Sequence, residues 1–184
     1  MSQSCPAQQF DVVEVRLFIE ELACNICRFR HNRLDGVPPQ EVRIKQEVQL
    51  GNANSFADIV VQVPGQKSYL VEVKYGYPGP RILESLSRKY QQNLQWFASV
   101  ARLILIVDSQ HHPDLIQLAQ QVRAILPGHW DLELWDEKRL LELVSDHFGV
   151  HVESLSLDKL QHVRVAIDRS KGQYAFADAY ENSP

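Results

Sequence analysis

Residues 56–74 read FADIVVQVPGQKSYLVEVK, two β-branched apolar runs joined at Pro64-Gly65. Asp58-Ile59-Val60-Val61 and Tyr69-Leu70-Val71 have the Val, Ile and Tyr content of strands covered on both faces, and the Pro-Gly between them marks a hairpin. Asp58 in the first run, and Glu72 and Lys74 in the second, break the apolar character. An ionised group withdrawn from water costs several kcal/mol unless it is paired or metal-bound, so charges in such strands call for a structural reason.

Side-chain alternation puts Glu72 and Lys74 on one face of their strand. Asp58 joins them only for an odd loop length. A loop of Pro64 to Gln66 sets Val63 opposite Lys67 and Asp58 opposite Glu72, whereas a two-residue loop turns Asp58 to the other face. The odd-length loop is the reading adopted. It places the two carboxylates with Cβ atoms roughly 5 Å apart, suited to holding a divalent cation, with an ammonium one residue pair along.

Asp58 followed across a hairpin by Glu72-Val73-Lys74 resembles the core of the PD-(D/E)XK nuclease superfamily, shared by many restriction endonucleases, Holliday junction resolvases and Mrr-like DNA-cleaving proteins. The match covers the motif and its supporting elements rather than the chain residue by residue, and Ala57 stands where the family's name has proline. The resemblance implies an α/β fold with a restriction endonuclease-like mixed central sheet flanked by helices, in the core order α-β-β-β-α-β. It also implies a Mg²⁺-dependent (or Mn²⁺-dependent) endonuclease that hydrolyses phosphodiester bonds, of DNA in preference to RNA. Asp58, Glu72 and the backbone carbonyl of Val73 would then hold the metal. Lys74 would orient or deprotonate the attacking water, or neutralise the transition state, a role helped if burial lowers its pKa. In this family a glutamate of the first helix often reaches the metal, and among Glu14, Glu20 and Glu21 the preferred one is Glu21, which lies between two apolar stripes. Gln92, four residues before Trp96, is similar to the family's Gln-x-x-x-Tyr pattern, in which the glutamine supports the catalytic lysine or a phosphate.

Readings from other classes compete with catalysis. A nuclease-like fold used for binding or regulation within a larger protein fits the slightly negative net charge of -4 and the lack of an obvious basic groove. A plain α/β scaffold would keep Glu72 and Lys74 as a salt bridge only. With 184 residues the chain has the length of one ordinary domain with room for an appendage. No apolar run approaches the roughly 20 residues of a membrane span, and the N-terminus lacks the basic and apolar regions of a secretory signal, so the expected location is the cytoplasm. Three cysteines fit a reducing compartment.

Taken in order, Gln9 to about Phe29 has helical periodicity, with Val15, Phe18, Ile19, Leu22, Ile26 and Phe29 on one side, and Asp35-Gly36 closes the segment. Cys24 and Cys27 have zinc-ligand spacing but fall inside this helix without a second pair, so they read as small buried side chains. Arg28, Arg30, His31 and Arg33 suit either the helix dipole or a phosphate. Val42 to Leu50 alternates as a half-exposed strand. After Lys74, the loop YGYPGPR offers Tyr75, Tyr77 and Arg81 as substrate contacts or as a rigid connector. A helix is expected over Arg81 to Ser99, a buried parallel strand over Arg102 to Asp108, a helix over Pro113 to Leu126, a strand over Trp130 to Trp135 and a helix over Glu137 to Phe148. His111 and His112 read as loop histidines. Residues 1–153 form the expected nuclease-like domain, and residues 154–184 a C-terminal amphipathic helix and tail. The helix stripe of Leu157, Leu160, Val163 and Ile167 must cover the domain itself, a second copy in a homodimer, or a further domain attached at the C-terminus.

Overall fold

The computed structural model describes residues 12–50, 55–153 and 163–169. A long helix α1 (Val12–Asp35) leads into strands β1 (Arg43–Gln49), β2 (Phe56–Gln62) and β3 (Ser68–Val73). Helix α2 (Gly79–Gln91), strand β4 (Val100–Ile106), helix α3 (Leu115–Arg123), strand β5 (Asp131–Trp135) and helix α4 (Glu137–Phe148) follow. The strands form one five-stranded mixed sheet in sequence order. The first three make an antiparallel meander, and β4 and β5 run parallel to β3.

Strand alternation sorts the core into two layers. Ile59, Val61, Val71, Val73, Ile104 and Ile106 face α1 and α4, where they meet Phe18, Ile19, Leu22, Leu140 and Val144. Leu70, Leu103 and Leu105 face the other way, onto Ile82, Leu86 and Tyr90 of α2 and Leu118 and Val122 of α3. Apolar burial on both sides, at roughly 25 cal/mol per Å² removed from water, accounts for the near-continuous apolar character of β3 and β4.

The hairpin adopts the odd-length register. Ile59 pairs with Val71 and Val61 with Tyr69, which sets Asp58 across from Glu72. The turn itself is closed by the Gln66 N–H donating to the Val63 carbonyl at 3.1 Å, with Gly65 at φ 71°. That is a type II turn, which needs a left-handed residue after its proline.

Helix α1 extends well past Phe29 to Asp35, where Gly36 at φ 67° ends it and the Val37 N–H caps the His31 carbonyl. Its start at Gln9 lies outside the described residues. Burial raises the Cys27 thiol to about 12 and the Cys24 thiol to about 11, so both are unreactive at neutral pH. The helix expected over Arg81 to Ser99 is split. It begins at Gly79 and stops at Gln91, because the Asn93 side chain donates to the Lys89 carbonyl at 2.7 Å and turns the chain into a short 3-10 segment, Leu94–Phe97. Asp114 and Asp136 cap α3 and α4 by accepting from the Gln117 and Arg139 N–H groups. In the C-terminal segment, Val163 and Ile167 are buried in the core layer with Phe18, and Arg164 pairs with Glu21 at 3.0 Å. The described part of the expected amphipathic helix therefore covers the domain itself. Leu157, Leu160 and the tail lie outside the described residues. No described helix is long and apolar enough to cross a membrane.

Candidate functional site

Asp58, Glu72 and Lys74 converge on the α2 side of the sheet. Lys74 lies two residues beyond Glu72 on the same face. Its Nζ donates to Glu72 Oε2 at 2.5 Å and to Asp58 Oδ2 at 2.9 Å. The Val73 N–H, left without a ladder partner where β2 diverges from β3, donates to Asp58 Oδ2 at 2.8 Å. This bond fixes the Asp58 carboxylate against the backbone of the Glu-Val-Lys segment.

Two side chains of α2 complete the cluster. Lys89 Nζ donates to Glu72 Oε2 at 2.7 Å and stands 3.6 Å from Asp58 Oδ1, while the Tyr90 hydroxyl donates to Glu72 Oε1 at 2.5 Å. Glu72 is 0% exposed, and both its oxygens have donors. A carboxylate so deep in an apolar sheet is tolerable only with this degree of pairing. The sequence holds a signal for these partners. Ile82, Leu86 and Tyr90 mark the buried stripe of α2, and Lys89, three residues after Leu86, falls on its border facing the sheet.

The cluster sets its own charge states. Burial pulls the Lys74 ammonium down, but the charges of Glu72 and Asp58 and their hydrogen bonds outweigh it and raise Lys74 above the ordinary lysine range. The expectation that burial would lower it is thus reversed, and Lys74 remains a cation here rather than a base. Burial raises Asp58, yet Lys74 and Lys89 more than offset this and hold it below the usual carboxylate value. Burial and the neighbouring Glu72 charge push the Tyr90 phenol far up, so it serves as a neutral donor.

The cluster opens into a cleft of about 320 Å³ lined by Lys74, Tyr77, Arg81, Arg88 and Lys89, with Glu84 the one acid among its lining residues. The Arg81 guanidinium lies 4.6 Å over the Tyr77 ring, and Arg16 Nη1 donates to the Tyr77 hydroxyl at 2.9 Å. Behind this rim, buried Asp108 accepts from the Gly76 N–H at 2.7 Å and from His111, and His112 Nε2 donates to the Tyr77 carbonyl at 2.7 Å. The two histidines are therefore struts of the loop.

Three expected contributors fall elsewhere. Tyr75 turns to the opposite face, where its hydroxyl donates to Glu137 Oε1 at 2.9 Å. Gln92 is an exposed residue just past the end of α2, and the helix that its expected pattern presupposes breaks at Asn93; Lys89 and Tyr90 occupy the ground assigned to it. Glu21 is drawn away to Arg164. Its neighbour Glu20 pairs with Arg16 at 3.4 Å, and burial and then the Asp58 charge raise its carboxyl. Glu20 and Glu21 both border the apolar stripe of α1, and only the helix's rotation on the sheet distinguishes them. Glu47, across from Asp58, is exposed and holds a left-handed φ of 49°.

The donor chemistry suits a hard divalent ion in kind. Asp58 and Glu72 offer carboxylate oxygens, and among the described residues Asp58 Oδ1 has only the more distant Lys89 amine beside it. Compared with protein-family models and with curated proteins, the chain matches none.

Proposed function

We propose that this chain is a metal-dependent nuclease that hydrolyses phosphodiester bonds, of DNA in preference to RNA, on a restriction endonuclease-like fold in the cytoplasm. One observation carries the reading: Asp58, Glu72 and Lys74 meet within hydrogen-bonding distance at one end of a mixed sheet, beneath a cleft lined by four cations. The order of helix, three strands, helix and strand supports the same family.

Asp58, Glu72 and the Val73 carbonyl would hold Mg²⁺ or Mn²⁺. When bound, the ion supplies electrophilic stabilisation of the phosphate and acidifies an attacking water. Lys74, kept protonated by its carboxylates, offsets negative charge at the scissile group rather than taking a proton. Arg81, held over the Tyr77 ring, suits a flanking phosphate, and Arg88, paired with Glu84 at 2.6 Å, can exchange that partner for another.

The test is cleavage of plasmid, single-stranded DNA and RNA with Mg²⁺ and with chelator. Lys74→Ala is expected to slow the metal-dependent cleavage by roughly 10²–10³-fold. Cleavage at the parental rate by the purified variant overturns the assignment. A second reading, a nuclease-like domain that binds without cutting, is favoured by the full occupation of Glu72 by Lys74, Lys89 and Tyr90. Retention of nucleic acid without cleavage under all metal conditions would establish it.

A further inference from the structure

Two ammonium groups bridge the same pair of carboxylates, but their tethers differ. Lys74 shares a strand with Glu72 and makes two short contacts, at 2.9 and 2.5 Å. Lys89 reaches in from the last turn of α2, with one short contact at 2.7 Å and one long at 3.6 Å, and its stem lines the open cleft. The formal charges of Asp58, Glu72, Lys74 and Lys89 cancel, so the cluster presents no net negative field to an incoming dication. Withdrawing Lys89 restores a net negative charge and uncovers one side of Glu72 Oε2.

We infer that Lys89 is a built-in counter-ion, which holds the position between Asp58 and Glu72 that a divalent cation would take and must swing into the cleft before metal can bind. The inference rests on the nuclease reading and adds regulation to it. The outward position of Lys89 lies beside Arg81 and Arg88, on the surface that suits phosphate. A phosphate there draws the ammonium outward and exposes Glu72, so phosphate and metal each favour the other's binding. Without nucleic acid the protein stays weakly loaded.

Mn²⁺ titration by calorimetry and electron paramagnetic resonance tests this with the parent chain, Lys89→Met and the double variant Lys89→Met/Asp58→Asn. Methionine keeps an unbranched stem and removes the charge. Lys89→Met is expected to bind Mn²⁺ about tenfold more tightly than the parent, and the double variant to lose that gain. Equal affinity in the parent and Lys89→Met overturns the role of Lys89 and leaves the nuclease reading standing. Absence of Mn²⁺ binding in both overturns the two together, and a gain that survives Asp58→Asn places the ion elsewhere and refutes the inference. The parent chain gives a second readout that needs no variant to fold. Acetylation of Lys89 by acetic anhydride, followed by mass spectrometry, should quicken several-fold on Mn²⁺ saturation while Lys74 stays protected. Equal labelling of Lys89 with and without bound Mn²⁺ overturns the proposal.

Discussion

Glu72 and Glu133 are both glutamates in apolar strands of one sheet, SYLVEV in β3 and DLELW in β5, yet they meet different fates. Glu72 faces α2, is fully buried, and is held by Lys74, Lys89 and Tyr90 at the floor of an open cleft. Glu133 faces α1 and keeps 26% of its side chain exposed, where Arg30 pairs with it at 3.1 Å and the Trp135 indole donates to it at 2.9 Å. A charge in a strand is thus a poor guide to function by itself. The distinction lies in the partners: flexible ammonium groups beside a second carboxylate in one case, a guanidinium and an indole at a rim in the other.

The largest effect that tests this contrast is on stability. Glu72→Ala leaves the Tyr90 phenol without its acceptor and two buried ammonium groups with Asp58 alone, and is expected to destabilise by about 3–5 kcal/mol in urea denaturation. Glu133→Ala should lose about 1 kcal/mol, since Glu133 is itself 26% exposed and water can take its place beside Arg30. Equal losses would erase the distinction. Tyr90→Phe removes one hydrogen bond to a charged group and is expected to cost about 1.5–3 kcal/mol in the same assay.

Acid sharpens the comparison further. Asp58 has a folded-state pKa below its ordinary value, so the unfolded chain binds its proton first and the stabilisation it provides is complete above the ordinary carboxylate pKa, about 3.9. That stabilisation is lost as pH falls from there through the folded value. Burial raises Glu133, but its indole and arginine partners outweigh this and lower it too, so it adds to the same acid limb from about 4.3 downward. Thermal melts between pH 5 and 2 should therefore show a shallower decline in Asp58→Asn than in the parent. The smallest effect is expected of Gln92→Ala, within about 0.5 kcal/mol of the parent and with unchanged metal binding, because the residue is exposed beyond the end of α2.

The sequence was most legible where local rules and burial agree. Alternation placed Glu72 with Lys74, whereas the side taken by Asp58 rested on choosing an odd-length loop over a two-residue one, a choice the register of the hairpin matches. The elements from β4 to α4 lie within a few residues of their expected ranges, since short apolar runs and Asp caps bound them locally. Legibility failed where tertiary packing decides. The rotation of α1 turns Glu21 toward Arg164, the Asn93 cap shortens α2 and strands Gln92, and the loop after Lys74 sends Tyr75 to α4 while Tyr77 stays at the cleft. Lys74 illustrates a different failure, in which desolvation alone predicts a lowered pKa and the paired carboxylates reverse its sign.

The type II turn at Pro64-Gly65 carries a liability for the whole cluster. Deleting a single codon between Pro64 and Gln66 would leave Asp58, Glu72 and Lys74 all present in the gene, yet would rotate Asp58 into the aliphatic layer beneath α1. A descendant could be silenced by that one event while its charged signature still read as intact, so among any relatives the spacing across this hairpin is a more telling marker of competence than the three letters themselves.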